Sequence, residues 1–329
     1  MEAKKHISAV FFLFCMMSLA ITGALVFSKQ GNVTSPFETP FDLATEQIPY
    51  ASDTLNELFV TNDSDIVASI AMKDDLSEYA AKLVAGGPPP DGIPPIDEPK
   101  FVSVTEANDF LEPDDYVFVV QNNEEVKMYP QQVMVWHEVA NDTIGGEAVA
   151  VTYSPLSGSA VAFKANLGNS GKLLNSNDVY YDRDTGSLWP QLLGKAIAGK
   201  RRGESLETVS LTWMRWDQAR DAYPSAPVLS RETGFDKSYG FDPYGSYTAT
   251  DSYYQTGDSF FPLMNEDERL PQKEIVRAYF VDGEPVAVPK NLDDGTQDFT
   301  ANADSVFKPI EVMWFAWAAF YPDTTIVQE

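Results

Sequence analysis

The 329-residue chain holds one cysteine, Cys15, and two histidines, His6 and His137. Cys15 lies in the N-terminal apolar segment. The rest of the chain therefore has no internal disulfide, no thiolate metal site and no cysteine nucleophile. His137 is the one imidazole beyond that segment, which excludes a multi-histidine metal site there. Basic residues are also scarce: 23 Lys and Arg stand against 49 Asp and Glu, for a formal net charge of −26. Such a surface repels phosphate backbones and anionic headgroups, so nucleic acid is not an expected partner. Long apolar runs are scarce too, and one, Ile7–Phe27, is long enough to span a bilayer as a helix.

Lys4 and Lys5 precede that run. Positive flank and apolar stretch together read as a signal anchor or a cleaved signal peptide over residues 1–28. The length favours the anchor, while Ala20 and Ala24 would permit cleavage. With the lysines kept inside, the body lies outside the cytoplasm. The expected localisation is a single-pass membrane protein, with secretion after cleavage as the alternative.

The composition, 44% hydrophobic and 12% aromatic, suffices for one large core or two small ones. Residues 29–63 are polar, acidic and aperiodic, and read as an extended linker. Residues 64–100 combine a helical stripe (Ile66, Ile70, Tyr79, Leu83) with the Pro-rich stretch GGPPPDGIPPIDEPKF, Gly86–Phe101. Its prolines forbid helix and central strand and impose an extended arm that could pack across a domain face. Residues 101–329 read as a globular β-rich body. The expected class is α+β, β-rich, with hairpins in one or two related β lobes, a few short helices and the N-terminal membrane helix.

Within the body, Tyr116–Pro130 reads as a hairpin turning at Asn122-Asn123, and Val276–Pro289 echoes it with Asp282-Gly283 at the turn. Gln131–Val139 reads as a helix and Asn141–Glu147 as a turn. Leu211–Tyr223 suits a helix with Trp213, Trp216 and Ala219 on one side. Phe235–Tyr254, rich in Tyr, Gly and Asp, has no period and suits an aromatic platform or a cover for a core edge. Val312–Tyr321 is too short to span a membrane and reads as a buried helix or strand. The centre of the chain is Ala148–Phe163, AVAVTYSPLSGSAVAF, two apolar runs pinched around a polar turn. Alternation bounded by Pro and Gly marks strand–turn–strand.

That turn supplies the candidate chemistry. A hydrolase or transferase would use Ser154, Ser157 or Ser159 as nucleophile, His137 as base and Asp142 or Glu138 to orient it, because a hydroxyl needs an adjacent base. The G-x-S-x-G elbow is absent. A divalent metal ion, the one cofactor considered, would use His137 and Glu138 with carboxylates such as Asp142, Asp182 or Asp184. Asp182-Arg183-Asp184-Thr185-Gly186 also suits a plain turn, with Asp accepting backbone N–H bonds. Arg183 could hold an anionic ligand or an internal ion pair. Trp189 completes a ligand-binding set with Glu138, Asp182, Arg183 and Asp184. Any site is expected where His137, Glu138, the serine turn and the Asp182–Asp184 turn converge. The third reading, an anchored module that binds a protein or glycan at the cell surface, needs no catalysis and is the default.

Six segments occur in order: Gly86–Phe101, HEVAND (His137–Asp142), TYSPLSGSA (Thr152–Ala160), YDRDTGSLWPQLLGKAIAG (Tyr181–Gly199), LPQKEIVRAYFVDGE (Leu270–Glu284) and WFAWAAFYPDT (Trp314–Thr324). Together they resemble the family of domains of unknown function numbered 3179, from about Val84 to Thr324. The resemblance implies a domain, not an activity. In that family the central turn reads Thr-Tyr-Cys-Pro-Leu-Cys-Gly-Ser. Here Ser154 and Ser157 replace both cysteines, so any thiol chemistry of relatives is absent.

Overall fold

The protein is described here as a computed structural model covering residues 75–290 and 308–327. The expected membrane helix and the linker at 29–63 lie outside the described residues, as does the start of the helix read from residue 64. Among the described residues no helix is long and apolar enough to cross a membrane.

In chain order, helix α1 (Asp75–Ala81) leads to strand β1 (Val84–Ala85), and the Pro-rich arm then reaches β2 (Phe101–Val102) and helix α2 (Val104–Ala107). Strands β3 (Tyr116–Asn122) and β4 (Glu125–Pro130) form a hairpin followed by helix α3 (Gln131–Met134). Next come β5 (Val139–Ile144), β6 (Glu147–Ser154), β7 (Ser159–Phe163), β8 (Leu167–Leu174), β9 (Asn177–Asp182) and β10 (Leu188–Pro190). Strand β11 (Thr208–Arg215), helix α4 (Trp216–Ala222) and β12 (Val228–Leu229) follow. The chain then forms β13 (Ile275–Val281), β14 (Glu284–Pro289), β15 (Ile310–Met313), helix α5 (Trp314–Phe320) and β16 (Thr325–Ile326). Among the described residues the body is thus β-rich with a few short helices, in three sheets ordered β2-β12-β4-β3-β11-β7-β6-β5, β1-β8-β9-β10 and β15-β13-β14-β16.

Both hairpins read from the sequence form, with Asn123 (φ 52°) and Asp282 (φ 52°) in the left-handed region their tight turns require. The echo extends further than the hairpins. Strand β11 pairs antiparallel with β3, and β12 pairs parallel with β4. In the third sheet β15 pairs antiparallel with β13, and β16 pairs parallel with β14. Helices α4 and α5 each begin at a Trp, run 7 residues and end on a Tyr with φ near −130°. Proline follows both times, at Pro224 and Pro322. The same strand–strand–strand–helix–strand unit therefore occurs twice, and β5–β10 are an insertion between the second and third strands of the first copy. The serine turn lies in that insertion.

Local readings shift at four places. Leu211–Arg215 is strand, not helix, because it continues β11 and pairs residue by residue with β3; the helix starts only at Trp216. Gln131–Val139 is helical only to Met134. Asn141–Ile144 belongs to β5, and the turn shrinks to Gly145-Gly146. Val312–Tyr321 is strand and then helix.

The Pro-rich arm packs across a face, as its composition predicts. Its free backbone groups pair with the insertion: Gly86 N–H donates to Gly171 O at 2.8 Å, Asp91 N–H to Asn169 O at 2.8 Å and Ile96 N–H to Val139 O at 2.9 Å. Arg183 ties it down from the other side, 3.1 Å from Asp97 and 3.7 Å from Asp91.

Candidate functional site

The turn between β6 and β7 is tight because Ser154 and Ser159 are already a cross-strand pair. Pro155 presets the bend, and Gly158 supplies φ +59°. Glycine also suits the space: a Cβ there would crowd Met313 Cε at 3.1 Å and the Tyr247 hydroxyl at 3.2 Å. The turn is sealed rather than presented. Met313 N–H donates to Ser157 O at 2.9 Å, and the Tyr253 hydroxyl donates to Leu156 O at 2.6 Å.

The three serines are fully buried, so each hydroxyl needs a partner inside. Ser159 Oγ donates to Gln191 Oε1 at 2.6 Å. With that proton spent, Ser157 Oγ is the donor in its 2.8 Å contact with Ser159 Oγ. Asn177 Nδ2 donates to Ser157 Oγ and to Gln191 Oε1, each at 2.9 Å, and Gln191 Nε2 donates to Thr152 Oγ1 at 2.9 Å. Ser154 Oγ accepts the Asp178 N–H at 3.2 Å. The hydroxyls of Ser157 and Ser159 thus bond to amides and hydroxyls, groups that cannot take a proton from them at neutral pH.

His137 is placed otherwise. Its Nδ1 lies 2.7 Å from Pro94 O and its Nε2 2.6 Å from the Tyr239 hydroxyl. A carbonyl can only accept, so Nδ1 carries the proton and Nε2 accepts from Tyr239. Phe235 and Tyr239 pack on the ring at centroid distances of 5.4 and 5.8 Å. Burial holds its pKa down at about 4, so it is neutral at pH 7. Both nitrogens are used in clasping the Pro-rich arm to the 231–261 loop. Neither bonds to a serine of the turn.

The other sequence candidates divide. Asp142 accepts from Lys127 Nζ at 2.9 Å, from the Tyr129 hydroxyl at 2.6 Å and from Thr143 N–H at 2.7 Å, which leaves it tied away from His137. Asp182 accepts from Thr185 N–H at 2.6 Å and from Trp189 Nε1 at 2.9 Å, the bonds of a structural turn. Trp189 is buried, with the Arg201 guanidinium 4.8 Å above its ring, and Asp184 is exposed. Arg183 forms the internal ion pair. Glu138 alone reaches the neighbourhood of the serine turn, through Asp178. Among the described residues no three His, Cys, Asp or Glu side chains gather as a metal-binding group.

Asp178, Asn177, Gln191, Tyr180 and Asn169 went unread in the sequence. Asn175-Ser176-Asn177-Asp178 looks like a solvated turn, and Asn175 and Ser176 do form one, at φ 54° and 55°. The signal available was that Asn177 and Asp178 continue into Val179-Tyr180-Tyr181, where period 2 sends alternate side chains inward. Phe235–Tyr254 covers a core edge: Tyr153, Tyr247 and Tyr254 share hydroxyl contacts of 2.9 and 3.1 Å beneath it.

A family model described as a protein of unknown function (DUF3179) matches residues 90–306. The match spans the arm, the insertion and the second hairpin. No curated protein and no solved structure matches the chain.

Proposed function

The chain belongs to the DUF3179 family of proteins of unknown function, and from that premise we propose that it is a membrane-tethered, extracytoplasmic module for binding or assembly, with a protein or glycan at the cell surface as partner. One observation carries the reading: the serine turn is fully buried, its hydroxyls are spent on Asn177, Gln191 and one another, and the one available imidazole is spent elsewhere. A nucleophile needs an adjacent base and a path for substrate, and a turn sealed by Met313 and Tyr253 offers neither. The tether rests on the apolar run Ile7–Phe27 behind Lys4 and Lys5. The contact surface is the 231–261 loop, where Phe241 is 53% exposed and Phe235 and Phe260 also reach solvent.

The test is affinity capture of the full chain from detergent-solubilised membranes, beside Phe241→Ser. The expected result is a partner that co-purifies with the native chain and is depleted at least tenfold in the variant. A fluorophosphonate probe is applied to the same preparation. Labelling of Ser154, Ser157 or Ser159 would overturn the reading in favour of a serine-dependent hydrolase. So would equal recovery of every co-purifying species by both chains.

A further inference from the structure

Glu138 and Asp178 are two carboxyl groups with almost no water, 6% and 8% exposed. Glu138 sits where helix α3 hands over to β5, at φ +62°, a strained conformation for a residue with a side chain. Its backbone is held on both sides: N–H to Met134 O at 2.7 Å, and O accepting from Tyr153 N–H at 2.8 Å. The fold thus dictates where this side chain goes. Asp178 faces it from β9, and its charge adds to burial in pushing Glu138 upward; Tyr180 feels both carboxylates. Among the described residues, the groups that act on the pair are each other and the Ser154 hydroxyl, with no Lys, Arg or His among them.

The neighbouring acceptors are left without donors. Among the described residues Asp178 Oδ2 is buried with no hydrogen-bond partner, and so is Oδ1 of Asn169, a residue 4% exposed. Asn169 is the cross-strand partner of Tyr180, so it shares a face of the β8–β9 ladder with Tyr180 and Asp178. Its Nδ2 donates to His137 O at 2.8 Å, the carbonyl just before Glu138. Asn169 bonds to the carbonyl next to Glu138, Tyr153 N–H bonds to Glu138 O, and the Asp178 N–H bonds to the hydroxyl of the adjoining Ser154, so Glu138, Asp178, Asn169, Ser154 and Tyr180 belong to one buried neighbourhood. Every ligand atom they offer is oxygen.

Buried acceptors without donors are costly. One proton on a carboxyl supplies one O–H donor, which can satisfy either Asp178 Oδ2 or Asn169 Oδ1 but not both. A cation relieves several oxygens at once, and carboxylate and carbonyl oxygens select hard ions. Two carboxylates also balance a divalent charge. We propose that Glu138 and Asp178, with Asn169 Oδ1 and Ser154 Oγ as neutral partners, bind one divalent cation of the calcium class. The ion would join the α3–β5 corner to the β8–β9 hairpin and so lock the insertion around the serine turn. His137 takes no part, since both its nitrogens are committed. The proposal stands independently of the binding reading above.

The experiment uses the full chain in detergent, stripped with a chelator and titrated with calcium alone at pH 7.5. Expected are one equivalent bound, a saturable rise in melting temperature that NaCl at equal ionic strength does not reproduce, and at least tenfold weaker binding in Glu138→Gln and in Asp178→Asn. Asp184→Asn, on an exposed turn, keeps the native response. If both carboxyl variants fail to fold, terbium luminescence of the native chain decides: one equivalent, sensitised by Tyr180 and displaced by calcium, supports the site. Absence of a stoichiometric, calcium-competed signal overturns it. So does a calcium response unchanged in both variants. A melting temperature indifferent to calcium would instead make the pair a proton-sharing one.

Discussion

At the scale of single residues, His137 marks the difference between a residue type and its role. One imidazole near a serine turn reads as a base, yet its orientation was set by residues far away in sequence, Pro94 and Tyr239. Replacing it with Ala strips two hydrogen bonds and two ring contacts from a fully buried position and leaves Pro94 O without a donor. The expected loss is about 2–4 kcal/mol of stability by urea unfolding; a loss under about 0.5 kcal/mol would deny the clasp. Lys273 makes a second case. Its Nζ lies 3.2 Å from the Tyr253 ring centroid, no hydrogen-bond acceptor among the described residues meets it, and burial pulls its pKa down to about 7. The unfolded chain binds this proton up to about pH 10.4, so between pH 7 and 10 it holds more protons than the fold. Stability from this site is therefore complete only above that range and is lost as pH falls toward 7. The unfolding free energy of the native chain relative to Lys273→Met, from urea titrations, should climb from pH 7 to 10 by at most about 1.4 kcal/mol per pH unit. A difference that stays flat with pH would show the amine is not held neutral.

At the scale of elements, local signals were legible and partner-dependent ones were not. The two hairpins, the β6–β7 turn and the Asp182–Gly186 turn were readable because alternation and turn residues are encoded within a few positions. Leu211–Arg215 misled because Trp213 and Trp216 satisfy a helical period, while pairing along its whole length with β3 decided the outcome. The second copy of the five-element unit was hidden because its third strand lies far from its hairpin in both cases, and only the Trp…Tyr-Pro spacing betrays it. The serine network was hidden for a similar reason: Gln191 meets Ser159 across 32 residues and Thr152 across 39. Gln191→Leu keeps the volume but leaves the Ser159 hydroxyl without its acceptor and takes one partner each from Asn177 and Thr152, so about 2–4 kcal/mol should be lost. Ser157→Ala should cost about 1–2 kcal/mol, and the double variant less than the sum. Strict additivity in denaturant titrations would mean these groups do not act together. The arm gives a geometric test. Gly171 has φ +70°, and a Cβ there would lie 2.1 Å from Pro88 O. Gly171→Ala should push the arm off, and limited proteolysis should then cut between Gly86 and Asp97 several-fold faster than in the native chain.

For the whole molecule, the acidic excess sets the behaviour that no single contact does. Twenty-three basic groups cannot pair forty-nine acidic ones, and a net charge of −26 leaves the fold working against its own repulsion. Several of the basic groups are already engaged with two acids each, Lys127 with Glu125 and Asp142, Lys164 with Glu147 and Glu207, Arg183 with Asp91 and Asp97. These bidentate uses hold the insertion and the arm in place but do little for the remaining carboxylates. Screening reaches those: the Debye length falls from about 20 Å at 0.02 M salt to about 4 Å at 0.5 M. The melting temperature should therefore rise by several degrees over that range, equally in NaCl and KCl, because screening depends on ionic strength and not on the identity of the cation. The same experiment separates the two ways this protein can meet cations. A general rise shared by all monovalent salts belongs to the surface, whereas a rise at far lower concentration with calcium alone belongs to Glu138 and Asp178. A melting temperature unmoved by NaCl would show that the acidic groups are spaced widely enough not to oppose folding, and the excess would then act only on solubility and on the choice of partner.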